Sequence, residues 1–330
     1  MLQRVVLLLC CLAALFAEAQ TGKQSIPVIF DTDMGPDYDD VGAITLLHAF
    51  ADSGEVQILA TMASTKYEGV AAVLSVFNTY FNRPGVPIGV PRGKAVTLRD
   101  WQHWTDTLIA RYPHTLQMNA DAEDAVALYR RILARQADRS VTIITTGFLT
   151  NVSNLLLSKA DDLSPLDGAA LVAQKVKQLV CMAGRFPSGS EFNVNQDIAA
   201  SQNVFSHWPT PVLLSGFEIG QKIKTGLPLV RNLSIVNSPV KTVFSICLPK
   251  AAEDSAGRMS WDETAVLVAV KGPGPFYHPE YGRMAVADDG SDTWTSQGNQ
   301  QARLIEAVPP KNVEEYINRL MMHQPVTKVQ

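Results

Sequence analysis

The sequence predicts an α/β fold: an open, mainly parallel sheet with helices on both faces. Three observations lead there. Short β-branched apolar runs alternate with longer segments of helical period, the pattern of βαβ units. The runs are apolar almost throughout, as strands covered on both faces must be. No internal repeat, low-complexity tract or linker interrupts the alternation, so residues 20–330 read as one catalytic-sized domain.

In chain order, strands are expected at 27–31, 56–62, 86–90, 141–145, 178–182 and 211–215. Helices are expected at 41–51, 67–81, 122–136, 151–157 and 198–208, one behind almost every strand. Two regions leave the pattern. Residues 94–119, with Trp101, His103 and Trp104 close together, read as a long surface excursion that is either a lid or an insertion. Residues 276–306 carry the strand-like pieces RMAVA and ARLIEA and a turn at Asp289-Gly290, which predicts a C-terminal hairpin; 313–322 predicts a closing helix.

The first 19 residues stand apart. MLQRVVLLLCCLAALFAEAQ has an Arg, an apolar stretch over 5–17 and Ala-Glu-Ala, the layout of a secretory signal peptide cut before Gln20. The apolar stretch is too short to span a bilayer comfortably. The expectation is a secreted or periplasmic protein. Its net charge of -4 is mild and no Lys/Arg run is present, which argues against nucleic acid as a partner. Cys181 and Cys247 remain after cleavage. Cys181 lies in LVCMAG and reads as a small buried thiol rather than half of a disulfide.

The chemistry concentrates in IPVIFDTDMGPDYDDVGAITLLHAF. Asp31, Asp33, Asp37, Asp39 and Asp40 fall where the first strand gives way to the first helix, at the carboxyl edge of the sheet where open α/β folds bind ligands. A helix N-terminus favours each acid by only about 0.3–1 kcal/mol. One like-charge pair 4 Å apart costs about 4 kcal/mol at an effective dielectric near 20. No Lys or Arg occurs between Lys23 and Lys66, so a local ion pair cannot balance the set. Either some acids stay protonated or a cation enters, and all-oxygen ligands suit a hard divalent ion, most naturally Ca²⁺. Two alternatives stay open: an acidic surface turn capping the helix, and an aspartyl-phosphate hydrolase, although Met-Gly-Pro follows the D-x-D here.

Four ordered blocks carry a resemblance. DTDMGPDYDD resembles the D-x-D-P-G-x-D-D signature of the inosine–uridine-preferring nucleoside hydrolase family. TGFLTN resembles its G-x-L-T-N segment, MAGRFPSGSEFNVNQDIAA its M-G-G…E-F-N…D-x-x-A-A segment, and SWDETAVLVAV its H-D-x-x-A segment. The resemblance implies a Rossmann-like nucleoside hydrolase fold and Ca²⁺-dependent hydrolysis of the N-glycosidic bond of ribonucleosides, for salvage. It implies Asp33, Asp40, the Thr150 backbone carbonyl and Asp262 as metal ligands, with Asp33 also the general base. Asp39, Glu191, Asn193 and Thr65 would contact ribose, Trp261 the base, and the protein would be a homo-dimer or homo-tetramer.

Three departures accompany it. Pro36-Asp37-Tyr38 stands where the signature has one residue, which leaves Asp37 as an alternative ligand. Thr65 stands where many members have Asn. Trp261 stands where many have a His that protonates the leaving base; an indole N–H is no useful acid, but it can stack on a purine. His103, His114, Trp101, Trp104 and Arg185 are further candidates for meeting the base. Two other functions compete: hydrolysis of another ribosyl compound, and metal-dependent sugar or nucleoside binding without turnover.

Overall fold

The computed structural model describes residues 25–326; the signal-peptide expectation lies outside them. Eleven strands form one sheet in the order β4-β3-β2-β1-β5-β6-β8-β13-β11-β12-β7. Its parallel part comprises β1 (Ile26–Thr32), β2 (Val56–Ala63), β3 (Ile88–Val90), β4 (Glu123–Asp124), β5 (Val141–Thr145), β6 (Val176–Met182), β8 (Val212–Ser215) and β13 (Gln301–Glu306). The remainder is antiparallel: β11 (Tyr277–Val286) on β13, β12 (Ser291–Thr295) on β11, and β7 (Ser188–Ser190) on β12.

Every expected strand is present, with ends shifted by one or two residues. The β11–β12 hairpin turns at Asp289-Gly290, where Gly290 takes φ +81°. The strands alternate their side chains between two apolar layers, as a period of two requires. Val28 and Phe30 face one layer and Ile29 the other; Val180 and Met182 face the first, Leu179 and Cys181 the second. That double burial is why the strands read as unbroken apolar runs.

Helices α1 (Asp39–Asp52), α2 (Val70–Tyr80), α12 (Trp261–Lys271) and α13 (Pro310–Met321) build the first layer. Helices α4 (Ala125–Ala134), α5 (Thr150–Leu157), α6 (Gly168–Lys175) and α8 (Ile198–His207) build the second. Leu46, Leu47, Val266 and Leu267 are fully buried where α1 and α12 pack. Each such side chain contributes roughly 1.5–3 kcal/mol over exposure. The excursion at 94–119 is not all loop: α3 (Trp104–Arg111) lies within it, and Trp104 is fully buried. Short helices α7 (Phe192–Gln196), α9 (Phe217–Gly220), α10 (Leu227–Arg231) and α11 (Pro239–Cys247) complete the set, with the two-stranded ribbon β9 (Lys224–Thr225) and β10 (Arg258–Met259). Cys181 and Cys247 are buried free thiols in opposite layers. Among the described residues no helix is long and apolar enough to cross a membrane.

Candidate active site

At the carboxyl edge of β1, β5 and β6 lies a cavity of about 270 Å³ lined by Asp33, Asp37, Asp39, Asp40, Thr146, Met182, Glu191, Phe192, Asn193, Phe217, Arg258, Trp261 and Asp262. Five separate stretches of chain meet there. Asp33 follows β1, and Asp39 and Asp40 form the first turn of α1. Thr146 follows β5, Glu191 caps α7, and Asp262 sits in the first turn of α12. The acids are not an exposed turn: Asp33, Asp39, Asp40 and Asp262 are each at most 5 % exposed.

Local bonding explains how they are held. α1 has no side-chain cap of its own, and neither does α12. Asp39 Oδ2 instead accepts the backbone N–H groups of Trp261 (3.1 Å) and Asp262 (3.3 Å), so an acid at the start of one helix satisfies orphan donors at the start of the other. Asp40 Oδ1 accepts the hydroxyls of Thr32 and Thr146. Glu191 accepts from the N–H groups of Asn193 (2.9 Å), Val194 (3.1 Å) and Gly184 (3.4 Å). Asn193 Nδ2 donates to the carbonyls of Thr146 (3.3 Å) and Met182 (3.4 Å). Gly147 lets the strand-to-helix turn pass directly against the Asp33 backbone, where a Cβ would collide.

Burial dominates the electrostatics, and the acids then raise one another. Asp33 is pushed well above the usual carboxylate range by burial and by Asp40, and Asp262 by burial and by Asp39 and Asp40. Burial raises Asp40 to about 6, against the pull of the Thr32 and Thr146 hydroxyls. It raises Glu191 to about 7, against three backbone donors. All the donors are oxygen and the acids oppose one another, so the residue types fit a hard cation. Asp39, Asp40 and Glu191, however, spend oxygens on the backbone and hydroxyl donors just named. Among the described residues no group of three or more His, Cys, Asp and Glu is arranged to hold a metal ion.

Three expectations need correcting. Thr150 does not line the acid cavity. It opens α5, its hydroxyl donates to Asp197 (2.5 Å), and it faces a neighbouring depression of about 750 Å³ lined in part by 94–98. That depression is larger but holds one carboxylate, Asp197, so chemistry rather than size selects the smaller cavity. Thr146 is the threonine at the acids; its neighbour Thr145 ends β5, and this doubled threonine before Gly147 was the available signal. Thr65 is also absent from the lining. Its hydroxyl is spent on the carbonyls of Val96 (3.3 Å) and Leu98 (3.0 Å), which pins the excursion to the end of β2.

The third correction concerns charge. Among the described residues no local cation pairs with the acids, but one from far along the chain reaches two of them, leaving Asp33, Asp40 and Asp262 unpaired with it. Arg258 forms ion pairs with Asp37 and with Asp39 (3.4 Å) and lies 3.6 Å from Asp254. Burial pulls it down to about 10, so it stays charged at neutral pH. Sequence reasoning missed it because nothing marks a lone Arg in GRMSW as the partner of acids 219 positions away. Asp37 is thereby assigned to Arg258 at the cavity mouth.

Of the five candidates for meeting the base, none lines the cavity. Trp104 is in the core and Trp101 is exposed. His103 pairs with Asp106 (3.3 Å), and His114 Nδ1 bonds the Tyr112 carbonyl (2.8 Å). Only Arg185 reaches a lining residue, stacking 4.8 Å from the Phe217 ring. Trp261 does line it, 5.1 Å from Phe217, and its indole N–H donates to the Phe217 carbonyl (2.8 Å).

The chain is 26% identical over 234 residues to the pyrimidine-specific ribonucleoside hydrolase RihA of Salmonella agona, covering 67% of this chain and 70% of that one. Among solved structures, the inosine-uridine preferring nucleoside hydrolase of Bacillus anthracis superposes with a TM-score of 0.69 at 15% identity, over 90% of this chain and 99% of that one. The purine-preferring ribonucleoside hydrolase of Gardnerella vaginalis does so with 0.68 at 16%, over 89% and 98%. The model of the family described as inosine-uridine preferring nucleoside hydrolase matches residues 28–315. The chain belongs to that family, whose members are N-glycosyl hydrolases of ribonucleosides and generally metal-dependent.

Proposed function

We propose that the protein is an exported, Ca²⁺-dependent ribonucleoside hydrolase that releases free base and ribose for salvage, working as a homo-oligomer. One observation carries the reading: Asp33, Asp39, Asp40, Glu191, Asn193 and Asp262, drawn from three of the four resembling blocks, line one buried cavity. Asp33, Asp40 and Asp262, with Thr146 in place of Thr150, would hold the cation, which when bound supplies the positive charge that polarises the attacking water.

The chain's own residues then have distinct tasks. Asp33, buried among acids that raise its basicity, takes the water's proton. Asp39, Glu191 and Asn193 grip the ribose hydroxyls, and their negative and dipolar groups favour the positive charge that develops on the sugar. One water attacks from the acid side and the base leaves from the other, the single-displacement logic of an inverting glycosidase.

The reading is tested by incubating purified protein with inosine, guanosine, uridine, cytidine and nicotinamide riboside, with and without a chelator, and following reducing sugar. Release from a ribonucleoside, abolished by chelation and restored by Ca²⁺, supports it. Tight binding without release sinks it in favour of a binding protein, and release from nicotinamide riboside alone favours the other ribosyl substrate.

A further inference from the structure

Two of the sequence's departures from its family's pattern converge on one side chain. The extra residues in the first motif supply Asp37 and Tyr38, and the third departure supplies Trp261. All three touch Arg258. Asp37 pairs with the guanidinium, the Tyr38 ring lies 5.1 Å from it, and the Trp261 ring 5.0 Å. Arg258 is 7% exposed and lines the cavity, yet among the described residues its Nε–H has no hydrogen-bond partner.

The cavity needs such a donor. Departure of a nucleobase leaves an electron pair on a ring nitrogen, and something must take up that charge. No histidine lines the cavity among the described residues. The Trp261 indole N–H is committed to the Phe217 carbonyl. The remaining acids are the carboxyl groups assigned to water, ribose and cation. Among the described residues Arg258 is the one cationic donor lining the cavity, and it stands over the Trp261 ring, itself 5.1 Å from Phe217, two rings on which a flat base can stack.

We propose that Arg258 is the leaving-group residue of this active site, its guanidinium donating to a lone pair on the departing base. The ligand class is an aromatic heterocycle that stacks on Trp261 and turns a nitrogen or oxygen acceptor toward the guanidinium. As the C1′–N bond breaks, its electron pair moves onto the base. The water oxygen bonds to C1′ and the water's proton goes to Asp33. The base departs as an anion held by the guanidinium, which keeps its own protons. Asp33 later releases its proton to solvent and the base takes one up from solvent. Asp37 and Asp39 anchor the guanidinium at the cavity wall. This rests on the ribonucleoside hydrolase reading.

The test compares inosine with 4-nitrophenyl β-D-ribofuranoside, whose nitrophenolate leaves unaided, in wild type, Arg258→Gln and Arg258→Lys. Arg258→Gln is expected to lose about 100-fold more in kcat on inosine than on the nitrophenyl riboside. Arg258→Lys is expected to recover part of the inosine loss. Retained nitrophenyl riboside cleavage also reports that the variant folds. Equal losses on both substrates, or no loss on inosine, overturn the assignment while leaving the hydrolase reading intact. A wild type that cleaves neither substrate overturns the hydrolase reading and this inference with it.

Discussion

Asp33 shows how function and stability oppose each other in one side chain. It is buried beside Asp40, Glu191 and Asp31, and each of these raises its pKa further. Such an acid is a good proton acceptor and a poor contributor to the fold, since ionising it in place works against burial. Asp33→Asn removes the acceptor and the repulsion together. Turnover is expected to fall by about 10²–10⁴-fold, the usual worth of a positioned base. The melting temperature at pH 8 without added divalent ion is expected to hold or rise. Retained turnover would remove Asp33 from the role of base, and a large drop in melting temperature would show the repulsion to be already neutralised.

Among the elements, α1 and α12 decide the site, because their N-terminal turns carry Asp39, Asp40 and Asp262. The two helices touch through Gly42, whose missing Cβ leaves room for the fully buried Glu263 side chain. A methyl there forces the buried Glu263 carboxyl end to shift. Gly42→Ala would otherwise favour the helix by about 1 kcal/mol. Here it is expected to destabilise the protein by about 1–3 kcal/mol through overpacking and to lower activity by displacing the acids. Denaturant unfolding and kcat/KM measured on the same preparation check this; a stabilised, fully active variant would mean that the contact is slack. The sequence had α1 in view as an apolar segment, but not α12 or their contact, because a Gly in a helix marks close approach without naming what approaches.

On the scale of the whole molecule, the response to acid runs partly through His48. This ring is fully buried in α1 and stacks on Phe81 at 4.6 Å. Its Nε2 lies 3.2 Å from Asn78 Oδ1, and Asn78 Nδ2 donates to Thr61 at 3.0 Å. Asn78 Oδ1 is therefore the acceptor, Nε2 carries the proton, and Nδ1 has no partner among the described residues. Burial holds the ring down to about 3 from its ordinary 6.5. Between those values the unfolded chain binds a proton that the native state refuses, so stability contributed above pH 6.5 is lost as pH falls toward 3, by up to about 1.4 kcal/mol per pH unit. His48→Gln is expected to flatten that slope: its unfolding free energy should lie below wild type at pH 8 and approach or exceed it at pH 4.5. Parallel pH dependences in the two proteins would place the acid sensitivity elsewhere.

The strands and their carboxyl edge were legible from the sequence because a doubly buried strand writes its environment into its own residues, as Val28 to Phe30 and Leu179 to Met182 do. The acids were legible for the same local reason: Asp33, Asp39 and Asp40 are crowded within one stretch, and their mutual repulsion demands a compensating charge. The source of that charge was not legible. Arg258, the choice of Thr146 over Thr150, and the loss of Thr65 to the 94–98 segment depend on which distant backbones come within hydrogen-bond reach. The sequence by itself determined the layers, the cavity's place at the sheet edge and the carboxylate chemistry, since burial and like-charge crowding act on neighbours along the chain. Tertiary structure alone decided which cation and which hydroxyls meet those acids, since such contacts are fixed by three-dimensional distance and leave no periodic trace in the residues that make them.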